Sequence, residues 1–250
     1  MDLGHPIAAG NTAKIYLYNK QIVKVFHRRF PKTEAAYEAK KQQTIYATGL
    51  PVPKVIEIKK VDDSPAIVME YVEGQTLGEL FLRNKEKAID YINMSINVQK
   101  EIHSITTTSL ESMTSKLKRQ ILSTKKITEN QKTILNTLLD KMSFEEKLCH
   151  GDFHLFNLIL SKDGTVYIID WVDASVGDIR ADICRSYLLY LQFSEELAEQ
   201  YLSLYCEKSG LEIDEILKWA PIIAAARLAE NVASEDEERL LNIIKRHGIN

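Results

Sequence analysis

Three cysteines, Cys149, Cys184 and Cys206, are too few and too scattered for a disulfide framework, and none sits in a Cys-x-x-Cys pair. A reducing compartment is the simpler reading. Ten glycines and six prolines exclude a collagen-like fibre or a low-complexity tail. No uncharged apolar run approaches the roughly 18 residues of a membrane span. The opening Met1-Asp2-Leu3-Gly4-His5-Pro6 lacks the basic and then apolar regions of a signal peptide. A cytoplasmic protein with no membrane partner is expected. An excess of one charge is missing too: 32 basic and 35 acidic residues leave a net charge of -3. That gives no global attraction to nucleic acid, which is not expected as a partner. What remains is an ordinary globular composition, 45% hydrophobic and 27% charged over 250 residues. It suffices for one large domain or two lobes with a core that needs no staples.

Two characters of sequence alternate along the chain. Lys14–Tyr18 and Gln21–Phe26 are β-rich stretches around the polar turn Asn19-Lys20, and a helix is expected from about Lys32 to Ala47, stopped by Gly49, Pro51 and Pro53. Val55–Lys60 and Ala66–Tyr71 are strand candidates around the turn-rich Asp62-Asp63-Ser64-Pro65. Glu73-Gly74-Gln75 reads as linker, and Thr76-x-x-Glu79 as a capping box opening helical sequence that runs to Leu148. Ser143-x-x-Glu146 and Ser234-x-x-Glu237 offer further helix starts. Leu158-Ile159-Leu160 and Val166–Ile169, around Lys162-Asp163-Gly164, predict one hairpin inside the helical part.

The densest chemistry flanks that hairpin: His150-Gly151-Asp152-Phe153-His154-Leu155-Phe156-Asn157 before it and Asp170-Trp171 after it. Hard cations such as Mg²⁺ take oxygen ligands, commonly one or two carboxylates plus substrate phosphates, so Asn157 and Asp170 make a plausible pair. Asp152 is then available to orient a hydroxyl and accept its proton. Each residue alone is as well explained as a cap or turn. Together they place charge beside a buried hairpin, where unpaired charge is costly. In an extended segment His150, Asp152 and His154 would share a face and could bind Zn²⁺ or Fe²⁺, but Gly151 and Asn157 favour a loop. Lys24 lies inside the apolar run Ile22–Phe26, where an ammonium needs a carboxylate partner. Glu34 and Glu38, four apart on the following helix, are both placed to supply it.

The pattern His150-Gly151-Asp152-x-His154-x-x-Asn157, followed thirteen residues later by Asp170, resembles the small-molecule kinases of the aminoglycoside phosphotransferase and choline kinase type, distant relatives of the protein kinases. The resemblance runs from about Ala9 to Glu238. It implies an α+β, two-lobed protein-kinase-like fold, with a small β-rich lobe over residues 1–72 carrying one key helix. A larger, mainly helical lobe over 73–250 follows a linker at about 70–76. It implies ATP and Mg²⁺ as cofactors, Asp152 as catalytic acceptor, and Asn157 and Asp170 as metal ligands. It assigns Glu38 to Lys24, with Glu34 in reserve. It implies that the backbone around Gly10, Asn11 and Thr12 covers the phosphates, although one glycine makes no G-x-G-x-x-G run. It implies too that the backbone of Glu70 and Val72 meets adenine, with Met69 beside the ring or simply in the core. Gly177-Asp178-Ile179-Arg180-Ala181-Asp182 resembles the family's Gly-Asp-Pro-x-x-Asp stretch, with Ile179 where proline is common.

The expected acceptor is a small hydroxyl compound, either amine-bearing, as in aminoglycosides, choline or ethanolamine, or an amino-acid or sugar alcohol. Twelve acidic against six basic side chains beyond Leu191 suit a cation, yet a solvated helix face explains them equally, and 111–147 is basic. Arg227 and Glu230 read as an ordinary intrahelical ion pair, Trp219 as core, Cys149 as structural, and His150, His154 and Asp182 as groups that hold the loop. Gly177 follows only seven positions after Asp170, too few for the activation segment of a protein kinase. A catalytically silent nucleotide-binding module would be expected to lack Lys24 or a metal ligand, and none is missing. The oligomeric state is not legible.

Overall fold

The computed structural model describes residues 3–10, 12–31, 33–232 and 235–249. They form two compact units, neither a continuous stretch of chain: one runs to Arg83 and takes in Phe156–Val172, the other holds Asn84–Leu155 and the chain from Asp173 onward.

The first unit begins with β1 (Ala8–Ala9), β2 (Ala13–Tyr18) and β3 (Gln21–Phe26), crosses to the helix α1 (Glu34–Tyr46), and returns as β4 (Val55–Val61) and β5 (Ser64–Glu70). These strands make an antiparallel sheet in the order β1-β2-β3-β5-β4. Asn19 and Lys20 both have positive φ (51° and 58°), the geometry that lets a two-residue turn follow the twist of β2 and β3. β5 is buried on both faces, which explains its unbroken apolar run. Ile67 and Met69 pack with Ala35 and Ala39 of α1, while Ala66 and Val68 pack with Val23 and Val61. The turn expected over Asp62–Pro65 shrinks to Asp62-Asp63, and Pro65 joins β5. β3 pairs only from Ala66 onward, so on that side the missing N–H costs no ladder bond.

Gly74–Thr76, read from composition as linker, is a strand, β6. Thr76 then caps α2 (Leu77–Arg83) in a reciprocal box: its N–H donates to Glu79 Oε2 at 3.0 Å and its hydroxyl accepts from the Glu79 N–H at 3.1 Å.

The second unit opens with α3 (Ala88–His103), α4 (Met113–Ser123), α5 (Glu129–Asp140) and β7 (Lys147–Cys149). No helix starts at Ser143, because the chain there runs extended into β7; the capping box in this region is Thr128 with Gln131, opening α5. The chain re-enters the first unit as the expected hairpin, β8 (Leu158–Ser161) and β9 (Val166–Ile168), with β6 pairing on the free edge of β8. It then completes the second unit with β10 (Ser175–Gly177), paired with β7, and α6 (Ile179–Leu191), α7 (Glu195–Ser209), α8 (Ile213–Leu217), α9 (Ala220–Leu228) and α10 (Glu237–Arg246). α9 is buried almost all round and forms the centre of this unit, while Trp219 at its start packs edge-on against Phe144. Ser234 lies outside the described residues; the cap of α10 is Asp236, which accepts from the Arg239 N–H. No helix among the described residues is long and apolar enough to cross a membrane.

Candidate active site

In the first unit the chemistry gathers on Lys24. Its place in β3, opposite Ile15 on one side and Ile67 on the other, buries the ammonium, which donates to Glu38 Oε1 at 2.6 Å and to Asp170 Oδ1 at 3.4 Å. Of the two glutamates on α1, Glu38 therefore takes the bond. Burial alone would depress the ammonium's pKa; Asp170 and Glu38 outweigh it and hold Lys24 above the usual lysine value. On Glu38 burial pushes the carboxyl up, Lys24 pulls it down and Asp170 pushes it up again, with a net rise.

The same face of α1 carries Lys41 and Gln42, both buried, which sequence reasoning missed. Lys41 Nζ donates to the Val172 carbonyl at 2.7 Å, and Gln42 Nε2 donates to the Pro53 carbonyl at 2.6 Å. A polar helix face looks solvated in the sequence; here it fastens α1 to the segment just beyond Asp170. Asp170 itself has φ 64°, a left-handed conformation that aspartate tolerates better than most residues and that costs on the order of 1 kcal/mol or more. Asn157 ends a 3₁₀ turn and accepts the Ile169 N–H on its backbone carbonyl at 3.0 Å, so Asn157 and Asp170 sit at one end of the β8–β9 hairpin.

The remaining nucleotide-side candidates are also in this unit. Gly10 and Thr12 lie in the turn between β1 and β2, where the Gly10 N–H donates to Ala13 and the Thr12 carbonyl accepts from His27. Asn11 lies outside the described residues. Glu70 ends β5 and its N–H is committed to the Lys54 carbonyl at 3.0 Å, leaving its carbonyl and the backbone of Val72 as the edge there. Met69 is buried in the sheet core, with Gln42 Nε2 3.7 Å from its sulfur.

Asp152 belongs to the second unit. Its N–H donates to His150 Nδ1 at 3.2 Å, and its carboxylate lies 3.6 Å from His154 Nε2 and 3.8 Å from Arg185 Nη2. Burial would raise its pKa; the neighbouring His154, then the charges of Arg185 and His150, hold it far below the usual carboxylate range. His150, with Nδ1 taken by the loop backbone, is fully buried and packs edge-on to Phe153. Gly151 has φ 81°, and a Cβ there would collide with the Asp173 carbonyl oxygen, so only glycine fits the bend before Asp152. Asp182 ties α6 to this loop, accepting the Gly151 N–H at 2.7 Å on one oxygen and His103 Nε2 at 2.9 Å on the other. His103, isolated in the sequence, is thus drawn in by the fold, with its Nδ1 2.8 Å from the Tyr205 hydroxyl. Cys149 is buried, and burial followed by the Asp182 and Asp178 charges pushes its thiol well up, which suits packing and not nucleophilic attack.

Arg185 is the residue whose signal was weakest in the sequence. It is buried on α6 and paired in a fork with Glu230, Nη1 to Oε1 at 3.0 Å and Nη2 to Oε2 at 2.9 Å. Glu230 also bonds Arg227, as the three-residue spacing suggested, but Arg227 continues to Glu235 and Glu235 to Arg239. Beside them Lys116 donates to the Asp173 backbone carbonyl and side chain.

A family model described as the phosphotransferase enzyme family matches residues 4–219. Among curated proteins, acyl-CoA dehydrogenase family member 11 of Homo sapiens and of Pongo abelii are each 24% identical, covering 70% of this chain and 27% of their own length. The chain thus spans about a quarter of those relatives. Among solved structures, a thermostable mutant of aminoglycoside phosphotransferase APH(4)-Ia in its apo form superposes with TM-score 0.72 at 12% identity, covering 97% of this chain and 94% of that one. A mutant of the same enzyme in ternary complex with ADP and hygromycin B gives 0.69 at 12%, covering 98% and 92%. Choline kinase LicA from Streptococcus pneumoniae gives 0.60 at 19%, covering 96% and 91%. The fold is the α+β fold of the protein-kinase-like phosphotransferases, and with most of its length matched the chain belongs to the phosphotransferase enzyme family.

Proposed function

We propose that the protein transfers the γ-phosphoryl group of ATP to a hydroxyl of a small molecule. The observation that carries this reading is the shared ammonium of Lys24, held by Glu38 of α1 and by Asp170 at the end of a hairpin. A lysine kept charged in a buried setting is suited to neutralise nucleotide phosphates. In this reading residues 1–72, with Asn157 and Asp170, supply the nucleotide side, and the rest of 73–250 supplies the acceptor side. The turn over residues 10–12 lies against the phosphates, and the Glu70 carbonyl and Val72 N–H meet the adenine edge.

Asp170 and Asn157 offer a carboxylate and an amide oxygen, the hard donors that Mg²⁺ takes, so the donor set fits that ion. Bound there, it would neutralise charge on the phosphate oxygens. Asp152 orients the acceptor hydroxyl and takes up its proton. The depressed pKa of Asp152 keeps the carboxylate ionised, which favours positioning over strong basicity. His150 and His154 fix the loop.

The acceptor is read as a small hydroxyl compound, amine-bearing or a sugar or amino-acid alcohol. Glu230 and Glu235 are neutralised by Arg185, Arg227 and Arg239, so an amine would need another carboxylate. The test is a screen with Mg-ATP over amino sugars, choline, ethanolamine, amino-acid alcohols and sugars, following ADP release and the mass of the product. Nucleotide binding with no acceptor-dependent ADP across the panel would overturn the assignment.

A further inference from the structure

Arg185 sits between two carboxylates and bonds only one of them. Both ends of its fork are engaged by Glu230 at 2.9 and 3.0 Å, whereas Asp152 Oδ1 is 3.8 Å from Nη2, beyond hydrogen-bond reach. Its Nε, buried, has no partner. Arg185 and Glu230 also line a small cavity of about 30 Å³ together with Gly151, Lys116 and Gln120. Glu230 is itself fixed from three directions, by Arg185, by Arg227 and by Gln120 Nε2 at 3.3 Å. Arg227 leads on through Glu235 to Arg239 of α10.

A buried guanidinium that loses its carboxylate takes the next one available, because an uncompensated charge is costly there. For Arg185 that carboxylate is Asp152, about 1 Å of movement away from a direct bond of ~2.8 Å. A fork closed on Asp152 would take about two of the carboxylate's roughly four lone-pair sites and compete with the acceptor hydroxyl for its oxygens.

We propose that Glu230 is a positioning residue that holds Arg185 off Asp152, at 3.8 Å and so too far for a direct bond. The inference rests on Asp152 being the acceptor of the hydroxyl proton, and its structural part is testable without turnover.

The test is the crystal structure of Glu230→Gln together with ADP release from Mg-ATP, with water as the acceptor. Arg185 should move to within ~3 Å of an Asp152 oxygen. ADP release should fall by about 10- to 100-fold in kcat, with the KM for ATP unchanged. Adding Arg185→Met to Glu230→Gln should recover much of that loss, since no guanidinium is left to close on Asp152. A merely structural role predicts the opposite, a double variant worse than the single one. If Glu230→Gln does not fold, Glu230→Asp, which keeps the charge but shortens the grip, should give the same movement to a smaller extent. Arg185 unmoved in the crystal, or a double variant slower than Glu230→Gln, overturns the proposal. A wild-type protein that releases no ADP with water or with any acceptor of the panel would count against the phosphotransferase reading, while the crystal structure would still decide whether Glu230 restrains Arg185.

Discussion

Lys24 in the first unit, half-buried, and Arg185 in the second, buried, are both cations set between a glutamate and an aspartate. Each bonds its glutamate closely, Lys24 at 2.6 Å and Arg185 at 2.9 and 3.0 Å, and stands farther from its aspartate, 3.4 Å for Asp170 and 3.8 Å for Asp152. The difference lies in the cation. An ammonium is a point charge with three rotatable donors, which can be shared with a third partner such as a phosphate without leaving the first two. A guanidinium presents a rigid fork, and once that fork is matched by Glu230 it is committed. Lysine thus stands where a charge is to be lent to a ligand, and arginine where a charge is to be kept in place.

Removing the proton acceptor is expected to have the largest effect. Asp152→Asn should lower kcat for acceptor-dependent ADP release by about 10³-fold, roughly 4 kcal/mol, with nucleotide affinity by calorimetry nearly unchanged. Wild-type turnover would remove Asp152 from the chemistry and leave its half of the comparison purely structural. Lys24→Ala should cost less, about 10²-fold in kcat/KM for ATP, with part of the loss in KM. Lys24→Arg sharpens the point. If a shareable point charge is what matters, the fork should restore little of the loss, and full restoration would make the two cations interchangeable.

Gly151→Ala tests the bend that presents Asp152. It forces an L side chain into φ 81° and against the Asp173 carbonyl oxygen, so it should cost about 2–4 kcal/mol in urea unfolding. Gly164, also at positive φ (88°) but with open space around its Cβ position, should lose only about 1 kcal/mol on the same change. Equal losses would mean that strain, and not the close approach to Asp173, sets the requirement.

Local rules carried the sequence a long way. The Asn19-Lys20 turn, the Thr76-Glu79 capping box and the pairing of Leu158–Leu160 with Val166–Ile168 depend on neighbouring residues, and all three stand in the structure. The helix start at Ser143 did not, because pairing between β7 and β10, decided by residues some thirty positions away, draws the chain into an extended form. β6 was hidden for the same reason, since Gly74-Gln75-Thr76 has no strand character until β8 offers its edge. Around the site, the spacing from His150 to Asp170 was visible, but Lys41, Arg185 and His103 were not. Each is a polar residue in a helix, and its burial comes from elements distant in sequence. Glu230 was read as half of an i,i+3 pair with Arg227, which it is, while its second partner on α6 left no trace in the spacing.

The smallest effect separates the loop's supports by pH. Asp182 is fully buried; burial would raise its pKa, but the His103 hydrogen bond and charge, then the Gly151 N–H and the His150 charge, bring it down to about 2. The unfolded value is near ~3.9, so the folded state binds this proton less readily than the unfolded chain does. The contribution, about 2 kcal/mol, is therefore whole above pH ~4 and is lost as pH falls through about 2. Asp182→Asn should be less stable than wild type by about that amount at pH 7, and the gap should narrow steadily in urea titrations taken from pH ~5 downward. A gap that stays constant to the lowest pH at which the fold survives would mean that Asp182 acts through hydrogen-bond geometry alone, which asparagine only partly reproduces. Its charge would then have no part in holding the Gly151 bend.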